Sequence, residues 1–202
     1  MSLESPTRSR LIALGEERRA MREGYVFLDE KCLLLAAEMT AELKRHDLLR
    51  AAFEEAQRAA RHSLEAALLR HGLEGLAVYP ALPAECVEPG LHRSSLLGVA
   101  LVRAEAVMRP LAAPAAVFPS PEAEACRTAF VALTAAAVPL AAATGNLLRL
   151  HREYRRTLRR ACAIHDVVLP ELDLEFGDIE VHLNEMEREE ALWIRASHAR
   201  PR

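Results

Sequence analysis

Apolar and polar residues at both ends of the chain follow a three-then-four spacing. Leu11, Leu14, Arg18, Met21, Tyr25, Leu28, Cys32, Leu35 and Met39 form one such run. Thr144, Leu147, His151, Tyr154, Leu158, Ala161, His165, Val168 and Leu172 form the other. Apolar residues recurring about every 3.5 positions make a stripe along a helix, and a second helix winding around the first buries it. The two runs lie at opposite ends of one chain, so the simplest pairing is antiparallel. The pattern predicts an all-α dominated fold. N- and C-terminal helices form a long antiparallel two-helix coiled coil, with a small, irregular and partly β segment in the middle.

Breakers set the expected boundaries. The first helix is expected to start near Ser5-Pro6-Thr7, where Ser or Thr caps and Pro is tolerated in the first turn. No further proline occurs until Pro80, and Gly72 suits a C-terminal cap after His71. A helix over 7–71 would be roughly 95 Å long and would have to project from any compact domain. Residues 73–119 hold Pro80, Pro83, Pro89, Pro110, Pro114 and Pro119, with β-like runs at 76–79 and 96–102 between them. Helix resumes at Ser120-Pro121-Glu122, which joins a cap, a first-turn proline and an acid at the dipole's positive end. The chain thus divides into an N-terminal helix (1–72), a proline-rich middle (73–119) and a C-terminal helix (120–202). Kinks are expected near Pro139 and Pro170. Beyond Leu172 the apolar positions are Phe176, Ile179, Leu183 and Met186, and the repeated step of four is a stutter that locally unwinds a supercoil.

Composition sharpens this picture. Apolar residues make up 51% of the chain but aromatics only 4%, so Ala and Leu supply a helical seam rather than a ring-filled core. A net charge of -3 gives no electrostatic case for nucleic acid or an anionic membrane. Cys32, Cys86, Cys126 and Cys162 show no CxxC and no zinc-site spacing, and are expected to be small packing residues in a reducing compartment. The opening MSLESPTRSR lacks the apolar core of a signal peptide. The stretch 128–148 is uncharged and long enough to span a bilayer, yet Ala dominates it, and Pro139 and Gly145 interrupt it. We expect no membrane span there, but small residues that admit a neighbouring helix.

The last third of the chain carries a more specific pattern. It reads Arg159-Arg160-Ala161-Cys162-Ala163-Ile164, then Val167-Val168-Leu169-Pro170-Glu171-Leu172, then Leu183-Asn184-Glu185-Met186-Glu187-Arg188-Glu189-Glu190. Near the other end stand Ser5-Pro6-Thr7-Arg8 and Gly24-Tyr25-Val26-Phe27-Leu28-Asp29-Glu30-Lys31, and in the middle Leu97-Gly98-Val99. Together these resemble the D subunit of the V-type and archaeal-type (V/A) rotary ATPases. The likeness covers about 45 residues at the start and about 50 at the end. The sequence departs from the family at Cys32, where arginine is usual, and at Cys162 and His165, where Asn and Glu are usual. Ile194-Arg195-Ala196-Ser197-His198 replaces a lysine-rich stretch. The resemblance is to a divergent bacterial member.

That resemblance implies a central rotor stalk without catalysis or cofactor of its own. Its paired helices would enter the catalytic hexamer of A and B subunits. Its middle would lie nearer the F subunit and the socket subunit above the proteolipid ring. It would transmit torque between ring and nucleotide sites, coupling ATP hydrolysis or synthesis to proton or sodium transport, from a cytoplasmic position peripheral to the membrane. Candidate seam residues are Leu11, Leu14, Met21, Tyr25, Leu28, Cys32, Leu35, Met39, Leu147, Tyr154, Leu158, Val168, Leu172, Phe176, Ile179, Leu183 and Met186, with a kink at Pro170. Candidate subunit contacts are Arg155, Arg156, Arg159, Arg160, Glu187, Arg188, Glu189 and Glu190.

Other readings have weaker support. A basic run without interleaved aromatics beyond Tyr154 reads as a charged helix face, paired with acids such as Glu38, Glu42 and Asp47 or with a partner, not as a nucleic-acid site. His151 and His165 on the seam read as register-fixing polar residues rather than metal ligands. No Glu-x-x-His pair, phosphate-binding loop or nucleophile signature occurs. A non-rotary coiled-coil scaffold is the alternative function, and a helical-bundle enzyme or metal protein the third.

Overall fold

A computed structural model describes residues 7–109 and 115–198. Ser5, Pro6, Pro110 and Pro114, which the sequence marked as breakers, lie outside the described residues. Helix α1 spans Arg8–Ala77, strands β1 and β2 span Val87–Leu96 and Val99–Met108, helix α2 spans Pro121–Ala163 and helix α3 spans Leu169–His198. A single π-helical turn, Ile164–Val168, joins α2 to α3. Thr7 caps α1, its Oγ1 accepting from the Arg10 N–H at 3.2 Å. Gly72 interrupts α1 with φ 68° and ψ 174°, a positive-φ conformation that is free of strain only without a Cβ, and helix continues beyond it to Ala77. Ser120 caps α2, its Oγ accepting from Ala123 N–H at 3.1 Å, and Pro121 takes the first helical position.

The described residues form two compact units, and α1 contributes to both. The first unit pairs residues 7–34 with 154–198. Its helices run antiparallel, because rising numbers on α1 meet falling numbers opposite. Arg8 pairs with Glu187, Arg10 with Glu175 at 2.9 Å, Arg18 and Arg22 with Asp173 at 3.2 and 3.3 Å. The Arg18 guanidinium also lies 4.4 Å above the Phe176 ring, and the Tyr25 and His165 rings stand 5.1 Å apart. Leu14, Cys32, Ala161 and Leu172 are its buried apolar residues. The π turn precedes Pro170, which has no N–H to continue an α-helical ladder. There Leu169 N–H donates to Ile164 C=O, five residues back. α2 itself runs through Pro139 unbroken.

The second unit, Leu35–Glu153, packs the rest of α1 against most of α2 and carries the sheet. Its buried residues include Leu35, Ala60, Ala67, Ala123, Ala143 and Leu150. Four of these six are alanines, which let backbones approach closely, but of the stretch 128–148 only Ala143 and Asn146 are buried. An 18-residue window of the helical stretch from Pro121 is apolar enough to cross a membrane by length and composition, and 11% of it is buried.

The middle differs from expectation in detail. The run 76–79 is not a strand: it is the last turn of α1 and the bend after it. The run 96–102 is not one strand but the tip of an antiparallel hairpin that pairs Leu96 with Val99 and Val87 with Met108. Its two-residue turn places Leu97 at φ 50° and Gly98 at φ 85°. Two positive-φ residues match the strand twist, and glycine fills one of them without strain. Pro89 is accommodated in β1 because a two-stranded ribbon has only edge strands.

Candidate functional site

The seam begins as the sequence places it. Leu14, Cys32 and Leu35 are buried, and Leu11, Met21, Tyr25, Leu28 and Met39 are half-buried. The same phase continues past Met39 through Glu42, His46, Leu49, Phe53, Ala56, Ala60, Ser63 and Ala67, every one shielded. The hydrophobic pattern fades at Met39 because the next two positions are polar.

In α2 the shielded face is one residue out of phase with the expected one. Ala143, Asn146, Leu150 and Thr157 are buried, whereas Thr144, His151 and Leu158 are exposed, Leu158 by 40%. Leu147 and Tyr154 are half-buried. The expected phase favoured Leu147 and Leu158 over their polar neighbours, and the fold buries the polar neighbours instead. From Ala161 onward the phases agree: Val168, Phe176, Ile179 and Leu183 are half-buried and Leu172 is buried. His165 is exposed beside its Asp166 partner at 2.7 Å, and Met186 is 50% exposed, past the last shielded seam position.

Asn146 explains the shift. Its Nδ2 donates to Glu42 Oε1 at 3.0 Å and to Val102 C=O at 2.9 Å. Its Oδ1 accepts from Val102 N–H at 2.9 Å and from the Arg149 guanidinium at 2.7 Å. Two donors and two acceptor sites are the whole capacity of a carboxamide, so this buried group is fully satisfied. Glu42 offers only acceptors and Arg149 only donors, which fixes the amide's orientation. The side chain reads the backbone of β2 as a neighbouring strand would. It thereby ties the hairpin to both helices of its unit. The clue in the sequence was a lone Asn in an alanine-rich, charge-free stretch, three residues before Arg149.

Outside this node the molecule offers surfaces. Arg152, Arg155, Arg156, Arg159 and Arg160 are all exposed. Glu42, suggested as an acid for that run, is instead buried against Asn146, with Arg45 3.9 Å from its other oxygen. Residues 188–198 of α3 are exposed on every face, including Leu192 (64%), Trp193 (78%) and Ile194 (51%). Of the acids before them, Glu187 pairs with Arg8 and raises that guanidinium's pKa through a hydrogen bond and its charge. Arg188, Glu189 and Glu190 stand exposed. A second apolar stripe, Ile12, Val26, Phe27, Leu33 and Leu34, lies on the outer side of α1 at heptad spacing. In the other unit a cleft of about 350 Å³ opens between Leu76, Tyr79, Cys86, Cys126, Phe130 and Val131. Among the described residues no group of three or more His, Cys, Asp or Glu side chains is placed to hold a metal. Charged helix faces and exposed apolar stripes are surfaces suited to contacts.

Comparison with known proteins bears on which contacts. The profile of the ATP synthase D subunit family matches residues 10–196. The D subunit of a V-type ATP synthase from Anaeromyxobacter dehalogenans (strain 2CP-1 / ATCC BAA-258) is 35% identical over 219 aligned positions, covering 100% of both chains. The D subunit of a V-type ATP synthase from Thermotoga neapolitana (strain ATCC 49049 / DSM 4359 / NBRC 107923 / NS-E) is 27% identical over 92% of this chain and 92% of its own. The D subunit of an A-type ATP synthase from Thermococcus gammatolerans (strain DSM 15229 / JCM 11827 / EJ3) is 29% identical over 91% of this chain and 88% of its own.

Proposed function

Since this chain belongs to the ATP synthase D subunit family, we propose that it is the central stalk of a V/A-type rotary ATPase. On this reading it transmits torque between a membrane ion-translocating ring and a catalytic hexamer of A and B subunits. It performs no chemistry itself. The observation that carries the reading is the family match, which runs from Arg10 to Ala196 and so includes both helices of the paired unit.

Physical features support the mechanical role. Two antiparallel helices resist bending better than one. The cross-helix ion pairs and the Arg18–Phe176 stack bridge the two helices side to side. Torque would pass between helices through such contacts. The π turn and Pro170 make the two helices unlike along their length. An asymmetric shaft presents a different surface to each catalytic site of a surrounding ring, so each site's preferred nucleotide state depends on shaft angle. That coupling is reciprocal: nucleotide binding that favours one angle is favoured by it.

The exposed end of α3, with Leu192, Trp193 and Ile194, would lie within the hexamer, near Arg188, Glu189 and Glu190. Arg155, Arg156, Arg159 and Arg160 would face acidic surfaces of partners. The hairpin unit would receive the F subunit and the socket subunit above the proteolipid ring. The apolar window of α2 is built largely of alanine, which gains little on entering a bilayer, and that disfavours a direct membrane span. The protein would then be cytoplasmic and peripheral to the membrane.

Co-expression with A, B and F subunits, followed by size exclusion, tests this. The full chain is expected in a hexamer-sized complex and a chain lacking residues 173–202 is not. A full chain that elutes only as a self-associated species contradicts the proposal.

A further inference from the structure

We propose that Cys32 and Cys162 form a reversible dithiol–disulfide site that joins the two helices of the terminal unit. The contacts of that unit set the register. Tyr25 meets His165, Arg18 meets Phe176 and Asp173, and Arg22 meets Asp173, so Cys32 stands opposite residues 158–163 of the partner helix, a stretch that holds Cys162. Ala161, beside Cys162, is buried on the facing seam, as Cys32 is on its own. The proximity has an electrostatic sign as well: burial first, then Asp29, then Cys162 raise the Cys32 thiol above its ordinary range.

The two thiols differ in a way that suits sequential chemistry. Cys162 is exposed and Cys32 is buried. Only a thiolate attacks a disulfide, and access decides which thiol attacks first. With a low-molecular-weight disulfide as oxidant, the Cys162 thiolate attacks one of its sulfurs and expels one thiolate. Cys32 then attacks the Cys162 sulfur of the mixed disulfide and expels the second. One protein S–S bond forms and one small-molecule S–S bond is lost. Two protein thiols are oxidised, the small disulfide is reduced to two thiols, and the two cysteine protons pass to those leaving groups. A small dithiol reverses the sequence.

The other two cysteines are placed differently. Cys86 and Cys126 line the apolar cleft of the second unit, where the Cys86 thiol donates to the Pro83 carbonyl. The Cys32–Cys162 bridge would close just before the π turn, at Ile164–Val168, where the helix ladder is least regular. Oxidation would therefore staple the paired helices next to the turn whose backbone bonds step back five residues instead of four.

The test uses the full chain with oxidised glutathione, followed by alkylation of free thiols and peptide mapping by mass spectrometry. The expected product is a monomer two hydrogens lighter, with residues 32 and 162 in one cross-linked peptide that dithiothreitol releases. Cross-linking of a long loop is expected to raise the thermal midpoint by on the order of 10 °C. The cross-link should survive in a Cys86→Ser/Cys126→Ser chain and vanish in Cys162→Ser. Oxidation that stops at glutathione on Cys162, joins Cys86 to Cys126, or links two chains through Cys162 would overturn the proposal. Mapping of the unmodified sequence decides the matter even if a variant fails to fold.

Discussion

At the scale of single residues, Asn146 concentrates more structure than any large apolar side chain in its unit. Replacing it with Leu keeps the volume but removes the partner of both Val102 backbone groups and leaves Glu42 with Arg45 at 3.9 Å. A buried group left unpaired costs about 1–3 kcal/mol, so Asn146→Leu should lose about 2 kcal/mol or more against denaturant. Amide exchange at Val102 should speed up with it. Leu97 offers the opposite case. Its positive φ strains a branched side chain, and Leu97→Asn should stabilise the hairpin by roughly 1 kcal/mol, read as a higher thermal midpoint. Cys32 adds a pH dependence. Its folded pKa lies above the unfolded value, so its stabilisation is present below that value and fades as pH rises through the folded one. The thermal midpoint should therefore fall above about pH 9, where the ordinary thiol value is 9.0, and less steeply in Cys32→Ala.

At the scale of elements, the phase of α2 is the sharpest point. Leu150 is fully buried, while Leu158, which the heptad pattern favoured, is 40% exposed. Leu150→Ala should cost about 2–5 kcal/mol and Leu158→Ala well under half of that in equilibrium unfolding. Equal losses would restore the expected phase. The α1 seam was legible because Leu, Met and Tyr fill it without ambiguity. The α2 seam was not, since a hydrophobic count gives no credit to an amide whose four hydrogen bonds are all made in the fold. Helix starts at Thr7 and Ser120 and the break at Gly72 were readable from capping chemistry, which is local. The hairpin was only half readable. Its Gly98 turn stood out, but Leu97 at positive φ disguised a two-residue loop as the middle of a strand. The π turn left no apolar signal of its own. Pro170 marked its neighbourhood because a missing N–H must be accommodated somewhere in the preceding turn.

At the scale of the whole molecule, the family pattern was visible at Ser5–Arg8, Gly24–Lys31 and 159–190, while the middle contributed only Leu97-Gly98-Val99. Surfaces that serve partners were the least legible part, because exposed charge is the default state of a helix face. The exposed arginines give those surfaces a test. Arg155→Glu with Arg159→Glu should leave helicity unchanged and the thermal midpoint nearly so. In the proposed complex it should weaken co-elution with the catalytic subunits by tenfold or more, about 1.4 kcal/mol. Unchanged association would remove these arginines from the contact surface. The central claim, that the chain turns relative to the catalytic subunits, is tested most directly by rotation. The complex of this chain with A, B and F subunits, without ring or socket subunit, would be fixed through its A or B subunits, with a bead on the F subunit. The account predicts unidirectional bead rotation that starts with ATP and stops when ATP is withdrawn. ATP hydrolysis that proceeds while the bead stays still would contradict it.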